Sequence, residues 1–363
     1  MDIEKRIELA SRAPTEEIVT EAELRQLLET KRKPVHYIGF EVSGMLHVGS
    51  LVVSGYKVRD LLKAGFECQV FLADWHSVIN NKLEGDWEKI RRAAKYYDEA
   101  FKFFCPGVKI VHGSELYHNN DEYWRDVVLF SKKFSLARAT RCLQIMGRGE
   151  SEAQETAAFF YPSMQAVDIR TIGADVAHAG MDQRKVHMLA RDEYPKMGWK
   201  PPIALHHHIL PGLLAPETDG KTKMQPLLDA SCGMRHTTDG KMSKSKPKTA
   251  IFVHDTKEQI AEKMKAAYCP AGAEGNPVLE LAKYVAFREA GEMTVTRPSK
   301  FGGDITYASY HDLERDYVAG KLHAMDLKTG VAEAVDKAVA PVRKHFEQRK
   351  ELLEVYSETK ITR

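Results

Sequence analysis

Residues 35–50 read VHYIGFEVSGMLHVGS, and the change of character along this stretch decides the fold. A short run of β-branched and aromatic residues gives way to a turn that carries Gly44 and Gly49. The turn opens onto apolar residues at helical spacing, which continue through Leu61 and Leu62 and stop at Gly65. Strand, glycine-bearing turn and helix, in that order, begin a parallel sheet flanked by helices.

Working outward, residues 68–74 (CQVFLAD) and 108–112 (VKIVH) read as the next strands, with a long helix between them capped by Asp86. Residues 120–172 are expected to be mostly helical with a break at Pro162; a short strand at 174–178 and a helix from near Asp182 follow. Residues 212–240 combine prolines, glycines and little periodicity, which predicts an exposed, mobile connection. Beyond it, Asp255 and Glu258 suggest a capping box for a helix to Tyr268, and the last helix runs from about Asp326, bent or broken at Pro341. The expected architecture is α/β: a Rossmann-type parallel-sheet domain over 1–248, with a helical insertion at about 113–175, then a smaller, mainly α-helical domain over 249–363.

Composition narrows the function classes. An apolar share of 43% and a charged share of 29% describe an ordinary globular chain of 363 residues, long enough for two domains. No run of 18 apolar residues offers a membrane span, and the charged start lacks the apolar block of a signal peptide. Five scattered cysteines without a CxxC pair fit a reducing cytoplasm. A net charge of +2 neither demands nor excludes a nucleic acid. His206, His207 and His208 are consecutive, so in a strand they face alternate sides and cannot share one ion; no metal site is expected.

Two motifs carry chemistry. Lys241-Met242-Ser243-Lys244-Ser245 follows Asp239-Gly240, and this string arises by chance in roughly one chain in ten thousand. Two ammonium groups and two hydroxyls on a loop suit a triphosphate, and closure over pyrophosphate would stabilise charge that develops in the transition state. Gly44-Met45-Leu46-His47-Val48-Gly49-Ser50 lies at the carboxyl end of the first strand, where a turn opening a helix offers backbone N–H groups to phosphate. Each alone has a bland reading, a solvated basic loop or a capping turn with an incidental histidine.

Together they resemble the HIGH and KMSKS signatures of class I aminoacyl-tRNA synthetases. The resemblance extends over nearly the whole chain to the tyrosyl enzymes of archaea and eukaryotes, through HYIGFEVSG, LADWH, YPSMQAVDI, GADVAHAGMDQRKVHMLAR, DGKMSKS, AAYCPAGAEGNPVLELAKY, RPSKFGGDITY and HAMDLK. It implies adenylation of tyrosine by ATP with Mg2+ on the phosphates, then transfer to tRNA(Tyr) by a cytoplasmic homodimer with the insertion at its interface. His47, Gly49, Ser50, Lys241, Lys244 and Ser245 would serve catalysis, and Gly39 and Asp182 would join them around ATP. Tyr37 and Asp168 would grip the phenol hydroxyl, while Tyr161, Gln165 and Gln183 would hold the ammonium end. The residues themselves fit, because 161, 165 and 168 share one helix face, and polar groups there need a ligand to meet if the helix is buried. Arg184 and Lys185 would touch the tRNA acceptor end, and Phe301 and Asp326 the anticodon, by stacking and by accepting from a base edge.

Three departures stand out. Ser50 replaces a frequent histidine, Val42 replaces a frequent proline and so should loosen its turn, and the connection at 214–238 is longer than in compact archaeal relatives. The competing readings are a tryptophanyl enzyme of the same fold, a silent tRNA-binding relative, and another nucleotidylyl-transferring enzyme. The paired lysines and His47 argue against the silent relative, and the matches at Phe301 and Asp326 against the last.

Overall fold

The opening stretch does form a strand, Val35–Phe40, and it lies at the centre of a six-stranded sheet. The computed structural model describes residues 1–146, 155–215, 240–244 and 246–357. The strands are β1 (Thr15–Val19), β2 (Val35–Phe40), β3 (Glu67–Leu72), β4 (Lys109–His112), β5 (Val176–Gly180) and β6 (Ile203–His207), in the order β1-β6-β5-β2-β3-β4. All neighbours are parallel except β1 and β6. From β2 the chain winds outward through β3 and β4, then crosses back to β5 and β6. That reversal between β2 and β5 leaves a crevice at the carboxyl ends of the strands, where ligands of such sheets bind.

β1 was not legible as a strand. Its sequence, TEEIV, does not alternate, because it is an edge strand whose carboxylates find partners: Glu17 meets Arg184 and His206, and Glu16 meets His208. The helix Trp87–Phe104 begins at its expected cap, with Asp86 accepting from the Lys89 N–H at 3.0 Å. Between β4 and β5 lie the helices Gly113–Tyr117, Asp121–Ser131, Leu136–Cys142 and Tyr161–Thr171. Pro162 does not break a helix but starts one, in the first turn where its missing N–H costs nothing.

The chain folds into two compact units that do not follow chain order. The first comprises Met1–Gly44, Ser54–His208 and the chain from Lys350 onward; the second comprises Met45–Val53 and Ile209–Arg349. A single boundary near residue 248 therefore does not describe the packing. In the first unit, Val355 is buried and the Tyr356 ring meets Tyr96 of the long helix, with centroids 5.5 Å apart. The second unit holds the helices Lys257–Ala266 and Ala324–Glu347 and a small antiparallel pair, β7 (Met293–Val295) and β8 (Ile305–Tyr307). The capping box expected at Asp255 and Glu258 sits one residue later, at Thr256 and Gln259, and its helix ends at Ala266 rather than Tyr268. Asp255 instead accepts from the Phe252 N–H at 2.8 Å and from Lys263 at 2.6 Å. Pro341 lies inside the long last helix without ending it. Apart from Leu214 and Ala215, the connection at 214–238 lies outside the described residues, as does Ser245.

Candidate active site

The helix Tyr161–Thr171 is buried along its first nine residues, so its polar side chains are inside the protein. Asp168 is fully buried, and its Oδ1 accepts from the hydroxyls of Tyr117 at 2.9 Å and Tyr123 at 2.8 Å. Its other oxygen, Oδ2, is buried without a hydrogen-bond partner and lies 3.6 Å from His76 Nε2, which also has none. Burial pushes the Asp168 carboxyl well up, while the two phenol hydrogen bonds pull the other way. Burial likewise pushes His76 down to about 3, so its ring is neutral.

Tyr37, on β2, belongs to the same buried aromatic cluster as Tyr117 and Tyr123, and the Asp168 charge helps burial to raise its hydroxyl. Its hydroxyl makes Gly39 necessary, since a side chain at residue 39 would collide with it. The direct partners of Asp168 are thus Tyr117 and Tyr123, which sequence reasoning missed. The signal was the aromatic-rich stretch LYHNNDEYW at 116–124.

At the other end of the same helix, the Tyr161 hydroxyl donates to Glu41 Oε1 at 2.9 Å, and Asn80 Nδ2 donates to the same oxygen at 2.7 Å. Gln165 Nε2 reaches Gln183 Oε1 at 3.4 Å, Gln183 Nε2 donates to the Ile145 carbonyl at 3.1 Å, and Gln165 Oε1 is buried without a partner. Glu41 was also missed, although it stands in the quoted opening stretch. Val42 does not loosen the turn as expected. Its N–H donates to Ser77 Oγ at 2.7 Å, a bond that proline would forbid. Tyr97 ties the turn further, donating to the Gly44 carbonyl at 2.8 Å.

In the second unit the two signature motifs are held by backbone. Val48 N–H donates to the Ile251 carbonyl at 2.9 Å, and Val253 N–H to the Leu46 carbonyl at 3.1 Å, so His47 is pinned in a bridge to Phe252. His47 Nδ1 accepts from the N–H groups of Gly49 at 3.1 Å and Ser50 at 3.3 Å. Its proton therefore resides on Nε2, which makes that nitrogen a donor. Burial, then the charges of Lys244 and Lys241, push His47 down to about 3 and keep the ring neutral. An added Cβ at Gly49 would sit 3.1 Å from the His47 ring, a tight contact that would press on the ring. The Ser50 hydroxyl donates to the His47 carbonyl at 3.1 Å and accepts from the His47 N–H at 2.9 Å. Both bonds lie within the turn that carries the motif. Lys241 bridges to Pro211, and Met242 N–H donates to the Leu210 carbonyl at 3.0 Å. Both lysines are partly buried.

The RNA candidates divide. Arg184 is engaged within the first unit, its Nε 2.9 Å from Glu17 Oε2, while Lys185 is partly exposed one residue on. Phe301 is 60% exposed at the end of a short turn, with Lys300 Nζ 4.9 Å over its ring. Asp326 does not cap its helix. His323 does, accepting from the Met325 N–H at 3.1 Å, and Asp326 sits in the first turn. The three consecutive histidines split between sheet faces: His206 meets His187 and Glu17, and His207 meets His178.

These features meet an independent finding. The family model described as tRNA synthetases class I (W and Y) matches residues 29–340, so the chain belongs to that family. Within it the similarity is to the tyrosine branch. A tyrosine–tRNA ligase of Thermococcus sibiricus is 44% identical over 388 aligned positions covering all of both chains. The crystal structure of tyrosyl-tRNA synthetase from Pyrococcus horikoshii, complexed with L-tyrosine, has a TM-score of 0.89 at 42% identity and covers 99% of this chain and 100% of its own. A tryptophanyl-tRNA synthetase from Aeropyrum pernix, at 19% identity and a TM-score of 0.65, shares the fold.

Proposed function

We propose that this chain is a tyrosine–tRNA ligase whose Asp168 pocket selects tyrosine and whose His47 and Lys241–Lys244 segments handle ATP. The observation that carries this reading is the buried, unpartnered Asp168 Oδ2, a carboxylate oxygen in a dry aromatic setting. A tyrosine hydroxyl satisfies it; phenylalanine would leave it orphaned, at a cost of about 1–3 kcal/mol or more. Tyr161, Gln165, Gln183 and Glu41 take the ammonium end, Gln165 Oε1 being the acceptor still open.

ATP enters as its Mg2+ complex, the metal carried by the phosphates. The tyrosine carboxylate attacks the α-phosphorus, forming the acyl–phosphate bond and releasing pyrophosphate. His47 Nε2–H, Lys241 and Lys244 meet the charge that builds on the departing phosphates, and little proton transfer is needed. Gly39 and Asp182, at the carboxyl ends of β2 and β5, lie where adenosine binds in such sheets. The activated tyrosine then passes to the terminal ribose of tRNA(Tyr), with Lys185 at the acceptor end and Phe301 and Asp326 at the anticodon. We assign Arg184 a bracing contact with Glu17 first and an RNA contact second.

We also propose a homodimer. Val128 and Leu136, 60% and 69% exposed on the helices Asp121–Ser131 and Leu136–Cys142, are apolar groups that a partner copy would cover. Light scattering should give twice the 41.0 kDa chain mass, and a monomer would refute the assignment. A cytoplasmic site is consistent with the free thiols of Cys68, Cys105, Cys142 and Cys269. No helix of the described residues is long and apolar enough to cross a membrane. ATP–pyrophosphate exchange against each standard amino acid tests the activity. Exchange with tyrosine alone is expected, exchange with tryptophan would overturn the pocket, and none at all would favour a silent RNA-binding relative.

A further inference from the structure

Three buried histidines run diagonally across the sheet of the first unit. His36 Nε2 is 3.0 Å from His178 Nδ1, and His178 Nε2 is 2.8 Å from His207 Nδ1. In register, His36 pairs with Val176, two residues before His178, and His178 pairs with Leu205, two residues before His207. The file therefore advances toward the carboxyl edge of the sheet on one face. It ends at His207, whose register partner Gly180 directly precedes the turn Met181–Gln183 that carries Asp182.

The rings are neutral. Burial, followed by the Lys57 ammonium, pushes His36 down to about 3, and burial pushes His207 down to about 4. Each ring then holds one proton, and each link needs one donor. Only two proton orders satisfy both links. In one, every N–H points from His36 toward His207; in the other, every N–H points back and leaves a proton on His36 Nδ1. That nitrogen is buried and has no partner, and an orphaned donor there is the costlier choice. The forward order leaves His207 Nε2 as a donor at the edge where Asp182 lies, near enough for the Asp182 charge to act on His207.

We propose that His36, His178 and His207 are positioning residues for adenylation, a proton-ordered file whose terminal N–H orients the Asp182 carboxylate toward the ATP ribose. The proposal rests on the reading above that Asp182 lies where adenosine binds, and assigns its carboxylate to the ribose. It is tested by comparing ATP with an analogue lacking both ribose hydroxyls in pyrophosphate exchange. The native enzyme is expected to prefer ATP. His207→Phe should lose about tenfold of that preference, as expected when a hydrogen bond to a charged group goes, with the KM for tyrosine within about twofold of native. His207→Gln, which keeps an N–H donor, should restore it, and His178→Phe should lose roughly threefold, because His207 can then adopt either tautomer. His207→Leu gives the same comparison if the phenylalanine variant does not fold.

The failures are distinguishable. If Asp182→Ala leaves the preference intact, Asp182 is not the ribose contact and the underlying reading falls. If Asp182→Ala erases the preference while His207→Phe retains it, the positioning role is overturned. Equal slowing of both nucleotides by His207→Phe would also overturn it, since loss of packing does not distinguish them.

Discussion

The pocket proposed for tyrosine and the segments proposed for phosphate answer opposite demands. Around Asp168 the polar atoms bond side chain to side chain inside an aromatic core, with Tyr37 from β2 and Tyr117, Tyr123 and Asp168 from the helices Gly113–Tyr117, Asp121–Ser131 and Tyr161–Thr171. Around His47 and Lys241 the segments are anchored by bonds between backbone groups, the His47 ring and the Ser50 hydroxyl bond back to their own turn, and both lysines are partly exposed. Telling one phenol hydroxyl from its absence needs desolvated groups whose geometry is fixed before the ligand arrives. Stabilising a leaving pyrophosphate needs charge brought to it as it forms, and a backbone-anchored segment that carries two lysines suits that task.

The largest effect should come from the pocket. Asp168→Ala removes the acceptor of two buried hydroxyls as well as that of the substrate, and should lower kcat/KM for tyrosine by about a thousandfold. The KM for ATP should stay near native; unchanged tyrosine kinetics would remove Asp168 from the site. Lys241→Ala should lower kcat for adenylation by about a hundredfold, because its contact strengthens as charge develops. A change in KM alone, measured before the steady state, would mean that the lysine binds ground-state ATP and would blur the contrast drawn above.

Ser50→Ala loses a local turn bond rather than a phosphate donor, so kcat/KM for ATP should fall only about fivefold. A hundredfold loss would return the hydroxyl to the phosphate. The subtlest test is acid. His76 in the pocket and His47 in the phosphate segment are both held near pKa 3, against an ordinary value of 6.5. The unfolded rings bind protons as pH falls below 6.5 and the folded ones do not until about 3, so stability drains away across that window. His76→Phe and His47→Asn should each flatten the fall of Tm with pH, and by similar amounts.

Much of the sheet could be read from the chain because β2 to β5 are short, largely apolar runs bounded by turns, with β3 buried on five of its six residues; β6, which ends in two histidines, was not read as a strand. The face of Tyr161, Gln165 and Asp168 was legible for the same reason, since helical spacing is local. Tyr117 and Tyr123 were not, because they reach Asp168 across 51 and 45 residues and nothing local marks them. The cap at Thr256 was misplaced by one residue because Asp255 is an equally good cap by type, and Lys263 decides between them from the next turn of the helix. From sequence alone, the consecutive histidines at 206–208 read only as a run that cannot share one metal ion. The partners of His206 and His207 lie on β1, β5 and the helix Arg184–Glu193, beyond any sequence window.

The return of the chain's last turns to the long helix Trp87–Phe104 has a practical side. Val355 and Tyr356 pack in the unit that holds Asp168, although they follow the second unit in the chain. The stretch Ile209–Arg349 is therefore entered from the first unit and handed back to it, like a clause inside a sentence. A deletion that trims the protein after Arg349 would cut into the packing of the first unit rather than shorten the second.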